Sequence, residues 1–155
     1  MALDDLTEEL EALPQRGRLR LVEAARMLSE RSLRATATVS NAWPTYENGE
    51  VDAVILLELI AQGAALLGMR LGRHDPASLA LLVGMPEVEL LVRRVAVGTH
   101  LGADLEADRG VGDYLVCRGV VENDTTGDRL VAASIQGIRI PTNQPLPWAG
   151  SNDGT

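Results

Sequence analysis

Apolar residues alternate with polar ones along most of the chain. Leu33, Ala35, Ala37 and Val39 are separated by single polar side chains, a two-residue period that predicts a strand with one buried face. Alternation of this kind, or a short apolar run, also predicts the other strands. They lie in residues 18–30, which open with the apolar run at 19–22, and in residues 79–83, 88–95, 101–107, 115–121 and 130–140.

A helical period occurs in two segments. Residues 4–13 have three leucines on one side and stop at Pro14, which predicts a short amphipathic helix. Residues 53–71 follow a plausible N-cap, Asp52, and are apolar on every side. Because a helix of this kind has no face for water, we expect a curved sheet to cover one side of it and another subunit to cover the other.

The order of elements is a short helix, two strands, a long helix and about four further strands. This is an α+β layout with an antiparallel sheet of about five to six strands. Residues 1–140 are predicted to form one domain that opens with a helical segment at residues 1–14. Residues 141–155 are rich in Pro, Gly and Asn and are expected to form a flexible tail.

Composition limits the kinds of partner. The chain has 155 residues and a formal charge of -8, so its surface repels the phosphates of nucleic acids and of anionic membranes. Its first residues are acidic, unlike those of a signal peptide, and we expect a cytoplasmic location. Cys117 is the single cysteine, which excludes an internal disulfide and a cysteine-based zinc site and predicts a small core residue.

The long helix has a carboxylate, Glu58, and an amide, Gln62, on one stripe, since they are four residues apart. A carboxylate held away from water is suited to proton transfer near neutral pH, and the amide can orient it. Glu58 also argues against a membrane-spanning helix. The alternative interpretation is a structural ion pair between Glu58 and Arg93 or Arg94.

The first turn of this helix offers a second candidate feature. Free backbone amides near Ala53 and Val54 form a positive end that can polarise a carbonyl oxygen. Every helix has such an end, so the feature gains meaning only beside Glu58.

Several short motifs resemble those of the hot-dog-fold dehydratases that act on 3-hydroxyacyl groups of acyl carrier protein. Leu-Pro-Gln-Arg at residues 13–16, followed by Leu-Arg-Leu-Val at residues 19–22, is similar to their Leu-Pro-His-Arg opening and the Leu-Leu-Val that follows it. Residues 57–62 resemble their central-helix Glu-x-x-Ala-Gln signature. Residues 48–53 look most like the branch found in aryl-polyene and related acyl-chain clusters.

The resemblance implies a hot-dog fold and a homodimer, or a higher oligomer, with acyl pockets at the subunit interface. It implies a 3-hydroxyacyl substrate that is carried on the phosphopantetheine of acyl carrier protein or coenzyme A. The reaction would belong to fatty-acid or related biosynthesis and would need no metal or redox cofactor. Glu58 would be the acidic partner in water elimination. The amide of Ala53 would match the family's carbonyl-polarising glycine.

The family's base, a His in a His-Phe-Pro stretch before the helix, is missing here. The matching stretch reads Ala-Trp-Pro at residues 42–44, and Gln15 replaces the His of the opening motif at a position expected to be structural. His74 and His100 are predicted to be solvated, one in a turn and one on the polar side of a strand.

Trp43 and Tyr46 lie in the loop before the helix and, with Ala53, Val54 and Gln62, complete the predicted substrate-binding set. Tyr46 is a candidate for a substituted acid or a substrate contact, and the alternative interpretation is packing against Trp43 as a loop anchor.

Three functions remain open. The first is a dehydratase with displaced chemistry, and the second is a hot-dog thioesterase in which Glu58 acts as nucleophile or base. The third is a non-catalytic acyl-binding or partner subunit. The missing His favours the second and third, and the combined motifs favour the first. We therefore expect a dehydratase-like protein that binds acyl thioesters.

Overall fold

The computed structural model describes residues 5–72, 78–108 and 114–141 of the chain. This part contains two α-helices and eight β-strands, in the order α1 Thr7–Ala12, β1 Ala24–Ser29, β2 Ser32–Thr38, β3 Glu50–Asp52, α2 Leu56–Leu71, β4 Ser78–Leu90, β5 Arg94–Ala96, β6 His100–Ala107, β7 Tyr114–Asn123 and β8 Arg129–Pro141. Short 3-10 turns at Gly17–Leu19 and Ala53–Ile55 precede β1 and α2. The predicted flexible tail lies outside the described residues, apart from Pro141.

Six strands form one antiparallel sheet in the order β1-β2-β6-β7-β8-β4, and β3 pairs separately with β5. Helix α2 contacts five strands of the larger sheet, namely β2, β4, β6, β7 and β8. Alternating side chains of the central strands, such as Leu33, Leu105 and Val121, are fully buried in the core. A long helix held against a large antiparallel sheet is the hot-dog fold, so the predicted fold class is confirmed.

Asp52 caps the entry into α2, as predicted. Its Oδ1 accepts a hydrogen bond from the amide of Val54 over 3.0 Å, which satisfies one of the free donors at the start of the helix. The 3-10 turn accounts for the first three residues of the predicted helix. The α-helix itself begins at Leu56 and ends at Leu71, where the prediction ended it.

Glycines allow α2 to approach the sheet closely. A Cβ atom on Gly63 of α2 would lie 2.5 Å from a methyl carbon of Leu105, and one on Gly119 of β7 would lie 2.5 Å from a methyl carbon of Ile60. Since real Cβ atoms do not come so close to other carbons, alanine at either position would force neighbouring side chains or the helix to move. Gly63 and Gly119 therefore serve the packing of helix on sheet.

The strand predicted in residues 18–30 is present as β1, but it does not include residues 19–22, where the prediction began it. Gly17–Leu19 is a 3-10 turn and β1 begins at Ala24. Leu21 and Val22 are buried, but their amides bond to the side chain of a glutamine in α2 and not to a neighbouring strand. An apolar run does not distinguish these two ways of satisfying buried amides.

Three further boundaries differ from the predictions. The first helix is shorter than residues 4–13, and the predicted loop before α2 contains β3. Residues 79–83 belong with the following run to a single strand, β4, whose pairing with β8 shifts register around Gly84. The end of the predicted strand 88–95 is separated from β4 and forms part of β5.

Helix α2 and its 3-10 turn are apolar enough for a membrane. Ala53–Leu71 has 19 residues and a mean hydropathy of 1.7, which satisfies the length and composition of a membrane span, and 50% of this window is buried within the chain. Core helices of soluble proteins have the same properties. One stripe of the helix, with Leu57, Ala61, Ala65 and Met69, is only partly buried.

Strand β4 is an edge of the six-stranded sheet and is rich in exposed apolar side chains. Among the described strands, β8 is its one neighbour. Five large apolar side chains of β4 and the residue after it are between 46% and 60% exposed, namely Leu82, Val83, Val88, Leu90 and Leu91. An edge with such side chains invites another polypeptide to pair with it.

Candidate active site

The Glu58 carboxylate lies in the first turn of α2 and is bound by two glutamine amides. Gln62 Nε2, one turn along the helix, donates to Glu58 Oε1 over 2.9 Å. Gln15 Nε2, from the segment that follows α1, donates to the same oxygen over 3.2 Å. The described residues provide no donor to Glu58 Oε2. The arrangement holds one oxygen of a half-buried carboxylate and leaves the other for a ligand.

Gln62 is completely buried and uses its full hydrogen-bonding capacity. Its Nε2 also donates to the carbonyl oxygen of Leu19 over 2.6 Å. Its Oε1 accepts the amides of Leu21 and Val22 over 2.9 and 3.2 Å. Gln62 thus attaches residues 19–22 to α2 and orients Glu58, which is the orienting contact that the four-residue spacing predicted.

Gln15 has a different environment. Its Nε2 is bound to Glu58, but its Oε1 is buried and has no hydrogen-bond partner in the part of the chain that the structure describes. Its position was expected to be structural, whereas the structure places it in the candidate site. The one sequence feature that could have pointed to Gln15 as a site residue is its departure from the family motif, in which this position is a His.

The alternative interpretation of Glu58 as half of an ion pair is wrong. Among the described residues, neither Arg93 nor Arg94 forms a salt bridge with it, and Arg94 lies 3.8 Å from Glu47 instead. The donors to Glu58 are neutral amides.

The predicted free amides at the start of α2 are not free. The amide of Ala53 donates to the carbonyl oxygen of Arg93 over 2.8 Å, and that of Val54 donates to Asp52. Both donors are consumed by the local fold, since β3 pairs with β5 next to the turn and Asp52 caps it. The prediction that these two amides polarise a substrate carbonyl is therefore wrong. Ala53 is fully buried, whereas the side chain of Val54 is exposed.

The loop residues Trp43 and Tyr46 form a turn, in which the amide of Tyr46 donates to the carbonyl oxygen of Trp43 over 3.3 Å. The Trp43 side chain is buried in the core and that of Tyr46 is exposed. Neither forms a hydrogen bond with Glu58 in the described structure, and their part in substrate binding stays a prediction.

The remaining candidates do not add to the site. His100 is exposed on β6, where its Nδ1 lies 3.1 Å from Thr38 Oγ1, and His74 lies outside the described residues. Cys117 is buried, and burial raises the pKa of its thiol to about 12, so it is a core residue and a poor nucleophile. The described residues hold no cluster of side chains suited to a metal ion.

A family profile decides what kind of protein this geometry belongs to. The profile described as "ApeP-like: ApeP dehydratase" matches residues 8–139, which include α1 apart from Thr7, the whole sheet except the end of β8, and Glu58. The chain belongs to the ApeP-like dehydratase family. No curated protein sequence matches it.

Solved structures agree with the fold. A chain of the dehydratase heterocomplex ApeI:P from Xenorhabdus doucetiae is 19% identical, with a TM-score of 0.71 and coverage of 93% of each chain. A thioesterase from Haemophilus influenzae is 12% identical, with a TM-score of 0.62 over 77% of this chain and 80% of that one. A hypothetical thioesterase with coenzyme A from Streptococcus pneumoniae is 13% identical, with a TM-score of 0.61 over 78% and 89%.

Proposed function

We propose that this ApeP-like protein binds 3-hydroxyacyl thioesters on phosphopantetheine, carried by acyl carrier protein or coenzyme A, and takes part in their dehydration through Glu58. The supporting observation is that two amides hold Glu58 Oε1 while no described residue donates to Oε2. Neutral amides orient a carboxylate without neutralising its charge, whereas a guanidinium would keep it in an ion pair.

Water elimination needs two proton transfers. A base takes a proton from C2, the electrons of that C–H bond form the C2–C3 double bond, and the C3–O bond breaks. An acid gives a proton to the departing hydroxyl group, which leaves as water. We assign the second role to Glu58 Oε2, which enters the reaction protonated and leaves it as a carboxylate. One carboxylate does not serve both steps in the same turnover, so a second group must act as the base.

We assign that base to a second hot-dog subunit. His100, the histidine that the structure describes, is bonded to Thr38 and not to Glu58. Edge strand β4, which contacts α2, exposes the apolar side chains that a subunit of the same fold would cover. That a structure of similar fold is one chain of a dehydratase heterocomplex supports a partner that differs from this chain and brings its own His.

Thioester hydrolysis is the second candidate. The same Glu58 Oε2 would then activate water or attack the thioester carbonyl. The thioesterases among the structures of similar fold favour this reading. The two reactions differ in product, since dehydration keeps the thioester and hydrolysis releases a free acid.

The test compares wild type with Glu58→Gln, which keeps the size of the side chain but cannot transfer the proton. Each protein is mixed with a hot-dog subunit from the same source that has the His-Phe-Pro motif, and given 3-hydroxybutyryl pantetheine. Mass spectrometry follows loss of water. We expect the variant to be slower by about 100-fold or more. The control is Glu106→Gln, an exposed carboxylate on β6, which should keep the wild-type rate.

The other possible results of this experiment would reject or change the proposed role of Glu58. Equal rates for wild type and Glu58→Gln would reject Glu58 as the catalytic group. Free 3-hydroxybutyrate as product would favour the thioesterase. Binding of the thioester without any product, in the presence of the second subunit, would leave a non-catalytic acyl-binding role.

The subunit contact has its own test. Val83→Arg places a charge on the most exposed of the apolar side chains of β4, and we expect it to reduce assembly in analytical ultracentrifugation. Val97→Arg is the matched control, because Val97 is also exposed but lies outside β4. Unchanged assembly of Val83→Arg would place the partner elsewhere.

A further inference from the structure

The dehydration mechanism proposed above assigns no role to Gln15 Oε1, the acceptor oxygen of this side chain. Gln15 Oε1 is buried, and no donor reaches it from the described residues. An amide oxygen that loses its water without gaining a donor raises the free energy of the folded protein. A buried acceptor next to a catalytic carboxylate therefore calls for a donor from a ligand.

The neighbouring carboxylate dictates the orientation of the Gln15 amide. A carboxylate oxygen accepts the N–H groups of an amide and repels its carbonyl oxygen. Since Gln15 Nε2 lies 3.2 Å from Glu58 Oε1, turning the amide over would place two acceptors against each other. Oε1 is thus held facing away from the bonded carboxylate oxygen.

Gln62 is an example of an amide that only holds neighbouring groups in place. Both its donors and both its acceptor positions are occupied, by Glu58 and by the backbone of residues 19–22. Gln15 binds the same carboxylate oxygen with one end and leaves the other end free. Of the two glutamines, Gln15 is the one equipped to contact a substrate.

We infer that Gln15 Oε1 accepts a hydrogen bond from the C3 hydroxyl of the substrate and thereby selects 3-hydroxyacyl groups over unsubstituted acyl groups. The inference rests on the proposed function. A hydroxyl group has one hydrogen to donate and two lone pairs. When Glu58 Oε2 donates its proton to the hydroxyl oxygen, the hydroxyl hydrogen needs a separate acceptor. Gln15 Oε1 provides one on the same side chain that orients Glu58.

The test measures a preference between two ligands. Amide-linked analogues of 3-hydroxybutyryl and butyryl pantetheine cannot be hydrolysed, and calorimetry gives the Kd of each. We expect wild type to bind the hydroxylated analogue about 10-fold more tightly, the ratio that one hydrogen bond supplies. Gln15→Met should lower that ratio by at least about threefold, because only the contact of Glu58 Oε2 with the hydroxyl remains, while butyryl binding stays within about threefold of wild type. Gln136→Met, on β8, is the control and should keep the preference.

Gln15→His provides a second, independent readout and keeps the test valid if the methionine variant does not fold. Neutral imidazole has one donor and one acceptor, as the amide does, whereas imidazolium has two donors. We therefore expect Gln15→His to prefer the hydroxylated analogue at pH 8 and to lose the preference as the pH falls through about 6.5. Wild type should keep its preference over this range.

The outcomes separate the inference from the proposed function. Wild type that binds neither analogue would contradict both. A preference that survives undiminished in Gln15→Met would reject Gln15 as the hydroxyl contact and leave the role of Glu58 intact. Wild type that binds both analogues equally would count against both hydroxyl contacts, that of Gln15 and that of Glu58. Equal weakening of both analogues in Gln15→Met would mean that the free oxygen binds the shared pantetheine arm, and it would also overturn the inference.

Discussion

Carboxylates are held in two different ways in two parts of the structure. On β2, the Arg34 guanidinium binds Asp104, Glu122 and Asp124, with the closest Asp104 oxygen at 2.8 Å and the Glu122 oxygen at 3.3 Å. On α2, the donors to Glu58 from the part of the chain that the structure describes are two glutamine amides. One cluster has a cation with several anions, and the other has an anion with neutral donors.

The Arg34 cluster lies on the outer face of the sheet, since the neighbours of Arg34 along β2 point into the core. Burial by itself lowers the pKa of Arg34, but hydrogen bonds to Asp104 and Asp124 outweigh it and hold the pKa above its usual value. The guanidinium lies over Gly102, where a Cβ atom would clash with it. These carboxylates are permanent counter-ions of a permanent cation.

The difference shows how a carboxylate is kept available for chemistry. An ion pair fixes the charge of both partners and stabilises the position of each. Amide donors fix the position of Glu58 without supplying a positive charge, so its charge can change when a substrate binds. The outer cluster is therefore suited to stability, and the Glu58 cluster is suited to proton transfer.

The largest effect is expected from breaking the Glu58 cluster at Gln62. Gln62→Leu would leave the buried amides of Leu21 and Val22 without a partner and remove the donor to the Leu19 carbonyl oxygen. We expect a loss of about 3 kcal/mol in the free energy of unfolding, measured in urea and independent of salt. Gln136→Leu, half-buried on β8, should cost less than about 1 kcal/mol. Equal losses in the two variants would contradict a bracing role for Gln62.

A smaller effect is expected from Arg34→Met in the outer cluster. The variant keeps an unbranched apolar stem but leaves three carboxylates without their shared cation. Because these carboxylates are partly exposed, we expect a loss of about 1 kcal/mol at low salt, which shrinks as salt screens the repulsion. Urea unfolding at two salt concentrations measures it. A loss that does not change with salt would point to packing and not to charge.

The smallest effect is expected from Asp124→Asn. Arg34 keeps Asp104 and Glu122 in this variant, and three carboxylates already share one guanidinium. The free energy of unfolding should change by less than about 0.5 kcal/mol, in the same urea experiment. A loss as large as that of Arg34→Met would show that Asp124 alone carries the stability of the cluster.

The sequence alone predicted the parts of the fold in which apolar residues recur at a regular interval. Alternation predicted β2, β6 and β7, and the apolar run with its N-cap predicted α2 to its last residue. The pairing of Glu58 with Gln62 also followed from spacing, since residues four apart on a helix are neighbours. These features depend on local patterns that tertiary contacts reinforce.

The remaining features depend on contacts between distant residues. Gln15 meets Glu58 from 43 positions away, and no pattern of apolar residues records that approach. The amide of Ala53 is taken by the backbone carbonyl oxygen of Arg93, a residue that the sequence suggested only as a side-chain partner of Glu58. Both corrections concern backbone and side-chain hydrogen bonds, which alternation and hydropathy do not encode.

The glycine contacts between α2 and the sheet determine where a hydrocarbon tail can run. At Gly63 and Gly119, helix and strands are already so close that a single added carbon would collide. No tunnel for methylene groups can pass between the two layers at that level. For the thioester that we propose as substrate, the acyl tail would therefore run along the flank of the helix formed by Leu57, Ala61 and Ala65, and the surface that closes that flank would limit its length.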